Sequence, residues 1–355
     1  MKYALIGCGR ISVNHIQAAL NNKVEIVGLC DLLQERIDEK KEMFPEVKDV
    51  PEYLDYKEMI EKEKPELVAI ATESGEHARI AIDCIKHGIN VIIEKPIALS
   101  IHDANEIIKE AKKHKVKVCA NHQNRFNKAI QKMRSAIEED KFGRLFHATA
   151  HICWNRGKQY YDQAPWRGTW EQDGGALMNQ CIHDIDLLRW MMGDDIDEVY
   201  AYTDRLNHDY IDAEDLGMAL VKFSNGSYGM IEGTTNVYPK NLEETLYLFG
   251  EKGTAKAGGS SVNKLEVWRF DGEDEAAAIN EFSEEHKNVY GLGHTPLYAD
   301  MIDAIKKDRT PYVDGEAGKR ALELVLAIYL SAKQNKPVKL PLSDKVSTLM
   351  FKGRF

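Results

Sequence analysis

Tyr3-Ala4-Leu5-Ile6-Gly7-Cys8-Gly9-Arg10-Ile11-Ser12 is the stretch that decides the fold. Its apolar start makes a buried strand, its glycines make a turn, and residues 13–20 continue with apolar positions at helical spacing. Gly7 permits the tight turn. Gly9 lets backbone N–H groups at the helix N-terminus approach a pyrophosphate. Ser12 stands where a third glycine is usual and is small enough for close helix–strand packing. A glycine pattern alone is weak, but the next segment strengthens it. Glu25-Ile26-Val27-Gly28-Leu29-Cys30 reads as a second strand ending in Asp31, about 20 residues beyond the turn, where an acidic residue binds ribose hydroxyls. Leu32 and Leu33 follow it, so a 2′-phosphate would meet repulsion with no adjacent cation, and NAD is preferred over NADP.

The alternation continues, with helices at 56–62, 78–86 and 101–113 and strands at 67–71, 91–93 and 117–120. Strands alternating with helices imply a parallel, doubly wound sheet. Asn90-Val91-Ile92-Ile93 runs straight into Glu94-Lys95-Pro96. Pro96 lacks an N–H and fixes φ, so the ladder stops there. Glu94 and Lys95 are left at the carboxyl edge of the sheet, where an open α/β sheet places its ligands. Thr72-Glu73-Ser74-Gly75-Glu76-His77 is a loop at that same edge. His77 reads either as a site residue or as an ordinary histidine opening a helix.

After Asn121-His122-Gln123-Asn124-Arg125-Phe126 the pattern changes. A helix at 128–139 has no parallel strand after it, and strand-like runs follow at 145–153, 198–203, 216–223, 228–234, 244–249 and 265–270. Asn225-Gly226 is a strong hairpin turn. The expected fold is α/β: an N-terminal Rossmann domain (1–121) with a doubly wound parallel sheet, then a C-terminal α+β domain (122–355) with a large, mainly antiparallel open sheet. A large sheet with few covering helices leaves a face to bury, which suggests a homodimer or homotetramer. Residues 272–288 read as an acidic solvated loop, and 300–307 and 317–334 as closing helices.

With 43% hydrophobic and 29% charged residues, the 355-residue chain has the composition of a soluble globular protein. Its net charge of −10 argues against nucleic acid, which needs a surplus of Lys and Arg. The six cysteines are scattered with no CxxC pair, so buried reduced thiols are expected rather than a metal or redox centre. Met1-Lys2 leads straight into a strand, and the apolar stretch 321–330 is interrupted by Glu323. Neither a signal peptide nor a membrane span is read, and the expected location is cytoplasmic.

The chemistry concentrates in Trp166-Arg167-Gly168-Thr169-Trp170 and in Asp173-Gly174-Gly175, which precedes a helix expected to start at Ala176. Asn179, His183 and Asp186 lie at i, i+4 and i+7, a polar stripe on an otherwise apolar helix. Burying such groups unpaired costs about 1–3 kcal/mol each, so they face solvent or a site. One alternative makes His183 a core histidine oriented by Asp186. Arg125, Arg156, Lys158 and Arg167 are cations near these motifs. Each of them suits either an anionic substrate or solvated surface.

Taken together, the Gly7–Ser12 turn, Glu94-Lys95-Pro96, Gln123–Phe126, Trp166-Arg167 and the glycine pair leading to His183 and Asp186 resemble the glucose–fructose oxidoreductase / inositol dehydrogenase (Gfo/Idh/MocA) family. Asn155-Arg156, Tyr160-Tyr161, 163–170 and Leu177-Met178-Asn179-Gln180 are similar to its UDP-N-acetyl-2-amino-2-deoxyglucuronate 3-dehydrogenase branch, which serves surface polysaccharide synthesis. Many members carry an Asp four residues before the histidine, where this chain has Asn179. The resemblance implies oxidation of a sugar C3 hydroxyl by NAD, with a UDP-sugar as substrate. It implies cofactor contacts from Gly7, Gly9, Arg10, Ile11, Asp31, Thr72, Ser74, His77, Glu94, Lys95, Gln123, Trp166 and Arg167. Substrate contacts would come from Lys95, Arg125, Arg156, Tyr160, Asn179 and His183. Lys95 and His183 are the expected catalytic pair. His183 titrates near neutrality and suits a general base, while Lys95 would stabilise developing alkoxide charge. A lysine beside oxidised nicotinamide would also lose its proton more readily, so either residue can be the base. NADH either leaves or is recycled in place by a 2-oxo acid. Two competing readings are another sugar or cyclitol dehydrogenase, such as an inositol 2-dehydrogenase, and a non-catalytic NAD-binding regulator. The regulator would be expected to have lost Lys95 or His183.

Overall fold

The computed structural model describes residues 1–285 and 290–355. The chain forms two units. The first is Met1–Ala98, His102–Asn121 and His294–Lys319, and the second is Leu99–Ile101, His122–Gly293 and Arg320–Phe355.

In the first unit, β1 (Lys2–Ile6), β2 (Glu25–Cys30), β3 (Glu52–Tyr53), β4 (Leu67–Ile70), β5 (Asn90–Ile93) and β6 (Val118–Ala120) form one sheet. Its order is β3-β2-β1-β4-β5-β6 and every pairing is parallel. Helices α1 (Ser12–Asn21), α2 (Gln34–Met43), α3 (Tyr56–Glu63), α4 (His77–Lys86) and α5 (Ile101–His114) occur between these strands. Every residue of β4 is buried, as helices on both faces of a parallel sheet require. Strand order reverses between β1 and β4, so Gly7 and Thr72 lie at the switch point where such sheets bind ligands.

The second unit contains α6 (Lys128–Glu138), β7 (Leu145–Cys153), α7 (Lys158–Tyr161), α8 (Ala176–Asn179), α9 (Ile182–Met192), β8 (Ile196–Asp204), β9 (Leu216–Phe223) and β10 (Tyr228–Thr234). It continues through β11 (Glu243–Gly250), β12 (Gly253–Gly258), β13 (Lys264–Phe270) and α10 (Glu275–Phe282). Next in the chain are α11 (His294–Lys306), which belongs to the first unit, α12 (Gly315–Gln334) and β14 (Val338–Lys339). The second sheet has the order β13-β12-β11-β7-β10-β9-β8-β14. It is antiparallel except between β7 and β10. Along β9 burial alternates residue by residue, with one face packed and one open. Helix α9 lies against β7, β10 and β11, which carries His183 to the packed side.

Four sequence expectations change. The region 122–355 is not one unit, because 294–319 belongs with the first, where α11 packs on α1. The helix expected from Ala176 breaks after Asn179. The Gln180 and Cys181 N–H groups both bond to the Ala176 carbonyl, and a new helix starts at Ile182. The supposed loop 272–288 contains α10, whose N-cap Asp274 accepts from the Ala277 N–H; residues 286–288 of that loop lie outside the described residues. Finally, β12 is a strand the sequence pattern does not signal, because its glycines, alanines and lysine leave Thr254 as its single β-branched residue. All six cysteines are buried thiols. Among the described residues, no helix is long and apolar enough to cross a membrane.

Candidate active site

The expected site residues fall in both units, and each group has its own internal order. In the first unit Gly7 takes φ +96°, and a Cβ there would lie 2.5 Å from the Ala71 backbone, so only glycine fits. Around Gly9 there is open space on the Cβ side, which suits close approach of a phosphate. Arg10 is exposed and Ile11 half-buried beside it, while Ser12 is buried and its hydroxyl donates to the Gly9 carbonyl. Asp31 ends β2 with its carboxylate accepting from the Cys8 N–H (2.8 Å) and the Leu33 N–H (3.0 Å). Arg36 lies 3.8 Å from it, a cation the sequence reading passed over because it sits one helical turn further on. Thr72 is half-buried, and Ser74 is buried at the start of the short turn before α4.

Glu94 is turned inward. Its carboxylate accepts from His15 Nε2 (2.9 Å), from Asn121 Nδ2 and from the Lys95 N–H (3.2 Å). Behind His15, its Nδ1 lies 2.6 Å from the Tyr298 hydroxyl, which lies 3.0 Å from the Tyr3 hydroxyl. Asn121 also reaches His294 Nε2 at 3.1 Å. Burial opposes ionisation of Glu94, but His15 and His294 hold its pKa well below the usual carboxylate range. His15, Glu94 and His294 have ligand atoms within 4.8 Å of one another. His15 Nε2 faces Glu94 and His294 Nε2 faces Asn121, so both nitrogens have protein groups within hydrogen-bond distance. Lys95 itself is half-buried. His15, Asn121, His294 and Tyr298 were all missed, since nothing local in their sequence marks them.

In the second unit the polar stripe divides. Asn179 and His183 are half-buried, whereas Asp186 is buried and pairs with Arg125 through Nε (2.7 Å) and Nη2 (2.6 Å). Burial opposes the Asp186 charge, yet the Arg125 charge beside it holds its pKa down. Arg125, expected on the substrate, is buried with its guanidinium on Asp186 and over the Trp190 ring at 4.7 Å. Its geometry is that of a brace between the 3₁₀ turn Gln123–Phe126 and α9. Gln123 is buried in that turn, and the His122 ring meets the His183 ring edge-on at 5.7 Å.

Asn179 donates to Asp173, whose other oxygen accepts from the Gly168 N–H at 2.8 Å. The Glu214 carboxyl bonds the Leu177 N–H and the Tyr329 hydroxyl, both at 2.8 Å. A Cβ at Gly175 would lie 1.9 Å from a Glu214 oxygen, so this glycine is what lets the turn seat on that carboxyl. Arg156 and Arg167 bracket the Tyr160 ring at 5.3 and 4.2 Å, and they also lie over Trp154 (4.4 Å) and Trp166 (4.6 Å). Arg167 and Gln180 both donate to the Tyr160 hydroxyl. Lys158 instead is exposed and paired with Asp162 at 2.6 Å, the solvated-surface alternative.

Beside His183 in the chain, buried Asp184 meets buried Glu244 of β11, and Asn124 donates to Glu244 at 3.1 Å. Two such carboxyls resist ionising together. Burial pushes Asp184 up to about 7 and Glu244 well above its ordinary value. Folded pKa values above the unfolded ones mean that this pair stabilises most at acid pH. The stabilisation fades as pH rises from the ordinary carboxylate range through about 7. Glu244→Gln is therefore expected to gain stability relative to the parent between pH 5 and 8.5, on the order of 2 kcal/mol by urea unfolding. A parallel pH profile for the two proteins would exclude a raised titration of this pair. Glu214, pushed up to about 8 by burial, slopes the same way in both proteins and cancels.

A profile described as "Oxidoreductase family, NAD-binding Rossmann fold" matches residues 1–122, and the family's "C-terminal alpha/beta domain" matches residues 134–340. The chain belongs to the GFO/IDH/MocA oxidoreductase family. It is similar to the WlbA dehydrogenase from Bordetella pertussis, solved in complex with NADH and UDP-GlcNAcA. That match has TM-score 0.89 and 36% identity, covering 97% of this chain and 98% of the other. The WlbA dehydrogenase from Chromobacterium violaceum, solved with the same two molecules, matches at TM-score 0.88 and 36% identity, over 97% and 96% of the two chains. Myo-inositol 2-dehydrogenase of Thermotoga maritima is 26% identical over 346 residues, 96% of this chain and 98% of that one. This GFO/IDH/MocA protein is an NAD-dependent sugar oxidoreductase.

Proposed function

We propose that the enzyme oxidises the C3 hydroxyl of a UDP-N-acetylaminosugar uronic acid, UDP-GlcNAcA, to the 3-keto sugar in surface polysaccharide synthesis. The observation that carries this is the 36% identity, over 97% of the chain, to two dehydrogenases solved with NADH and UDP-GlcNAcA. The two guanidiniums bracketing Tyr160 support it, as they suit an anionic substrate on a chain of net charge −10.

NAD, when bound, accepts the hydride. Gly7 makes the turn, Gly9 leaves room for its pyrophosphate, and Asp31 stands at the strand end where ribose hydroxyls bind. Trp166 and Arg167 are proposed on the cofactor side, and Arg156, Tyr160 and Asn179 on the sugar side. His183 takes the hydroxyl proton as general base, and Lys95 donates to the same oxygen and stabilises its developing charge. The inverse assignment, with Lys95 as base, uses the same two side chains. The open sheet face carrying Tyr202, Met218, Leu220 and Tyr228 is proposed to pack against a second copy of the chain.

The test is incubation with NAD and, separately, UDP-GlcNAcA, myo-inositol and free hexoses, following reduced nicotinamide with and without 2-oxoglutarate. The expected result is turnover of the UDP-sugar, from protein whose mass in solution exceeds one chain. The T. maritima relative favours a second reading, a cyclitol dehydrogenase. Oxidation of inositol with an inert UDP-sugar would establish it.

A further inference from the structure

His77, read from the sequence as a cofactor contact, has a main-chain carbonyl oxygen facing each ring nitrogen. Nδ1 lies 2.8 Å from the Pro96 oxygen and Nε2 3.1 Å from the Thr72 oxygen, and the ring is buried. Pro96 follows Lys95 after β5, and Thr72 follows β4. These two strands are adjacent, with Ile70 opposite Ile93. The imidazole thus lies between the carboxyl ends of both strands, and when neutral it donates to one of the two carbonyls only. On the other side of Lys95, its own N–H is tied to Glu94, which His15 and Asn121 fix in turn. The main chain of Lys95 is gripped from both directions.

We infer that His77 is a positioning residue, which acts on the reaction by fixing Lys95 through the Pro96 carbonyl and touches neither cofactor nor sugar. The inference rests on the catalytic role proposed for Lys95. A neutral imidazole carries one N–H, and the shorter contact assigns it to Nδ1 and Pro96. Burial keeps the ring neutral, with the two carbonyls and Glu94 pulling the other way. A donor at this point controls where the Lys95 backbone sits. A displacement of about 1 Å at a reacting group costs on the order of 100-fold in rate.

The experiment compares wild type, His77→Ala, His77→Gln, Lys95→Ala and the His77→Ala/Lys95→Ala double variant, with thermal unfolding as the folding control. In His77→Ala, kcat is expected to fall about 10- to 100-fold. Its NADH dissociation constant, read by nicotinamide fluorescence, should stay within about threefold. His77→Gln, which retains a donor, should recover part of kcat, and the double variant should be no slower than Lys95→Ala alone. A raised NADH dissociation constant with kcat kept would make His77 a cofactor ligand and overturn the inference, as would additive losses in the double variant. If His77→Ala does not fold, His77→Gln and His77→Asn decide by the same split of kcat against NADH affinity. If wild type oxidises none of the sugars tried, the proposed reaction falls and His77 is judged separately. Labelling of the Lys95 amine, read by mass spectrometry, must then differ between wild type and His77→Ala, with His77→Gln closer to wild type, and equal labelling of wild type and His77→Ala overturns the inference.

Discussion

Lys95→Ala and His183→Ala are each expected to lose most turnover, on the order of 100- to 10,000-fold in kcat, while still binding NADH. The loss follows from what each side chain offers. Lys95 follows β5 on a main chain tied on both sides: Ile93 is buried, the Glu94 carboxylate accepts from the Lys95 N–H, and the Pro96 carbonyl faces His77. An ammonium presented from a main chain tied in this way needs little reorganisation to meet developing negative charge. His183 is half-buried on α9, beside the buried Asp184–Glu244 pair and edge-on to His122. Neither residue is part of the glycine turn or Asp31, so nicotinamide fluorescence should report retained cofactor binding. The two variants differ in pH response. If His183 is the base, His183→Ala should abolish the ascending limb of kcat/KM near neutrality and Lys95→Ala should keep it. The reverse pattern makes Lys95 the base. Near-wild-type turnover in either variant sinks the assignment of that residue.

The first unit was largely legible because its signals are local. A glycine that must take positive φ, an acidic residue at the next strand end and a proline that stops a ladder each act within a few residues of where they stand. The strands 145–153, 216–223 and 228–234 were legible for the same reason, with alternation visible inside each run. What escaped depends on distance in sequence. Glu94 looked like a charge offered to a ligand, yet it is consumed by His15 and Asn121, 79 and 27 residues away. The i, i+4, i+7 stripe looked like one face of one helix. The break at Gln180 and the partner Arg125, 61 residues upstream, split it into an accessible part and a buried brace. Glu244 carries no sequence signal at all, because a carboxyl on a strand reads as solvated until its neighbour proves to be Asp184.

Asp186→Ala is expected to be among the most damaging substitutions to stability in the second unit, although Asp186 is not assigned to the chemistry. The pair it makes with Arg125 is bidentate and buried, and Arg125 also lies over Trp190, whose ring Arg134 approaches at 4.9 Å. Removing only the carboxylate strands a guanidinium among buried groups, at about 3–5 kcal/mol. The carboxylate pKa is depressed, so the pair's contribution is complete at neutral pH and is lost only as pH falls below the ordinary carboxylate range. The loss should therefore be fully visible by urea unfolding at pH 7 and should shrink in acid. Arg125→Met/Asp186→Leu removes both charges while keeping similar volume, and should lie within about 2 kcal/mol of the parent. That pairing of results separates stability from function: the double variant is expected to fold well yet turn over slowly. Without the brace, the turn carrying His122 and the helix carrying His183 lose their shared anchor. A loss below about 1 kcal/mol in Asp186→Ala would mean that Arg125 finds water instead. The Arg125–Asp186 brace would then not be what holds His183 in place.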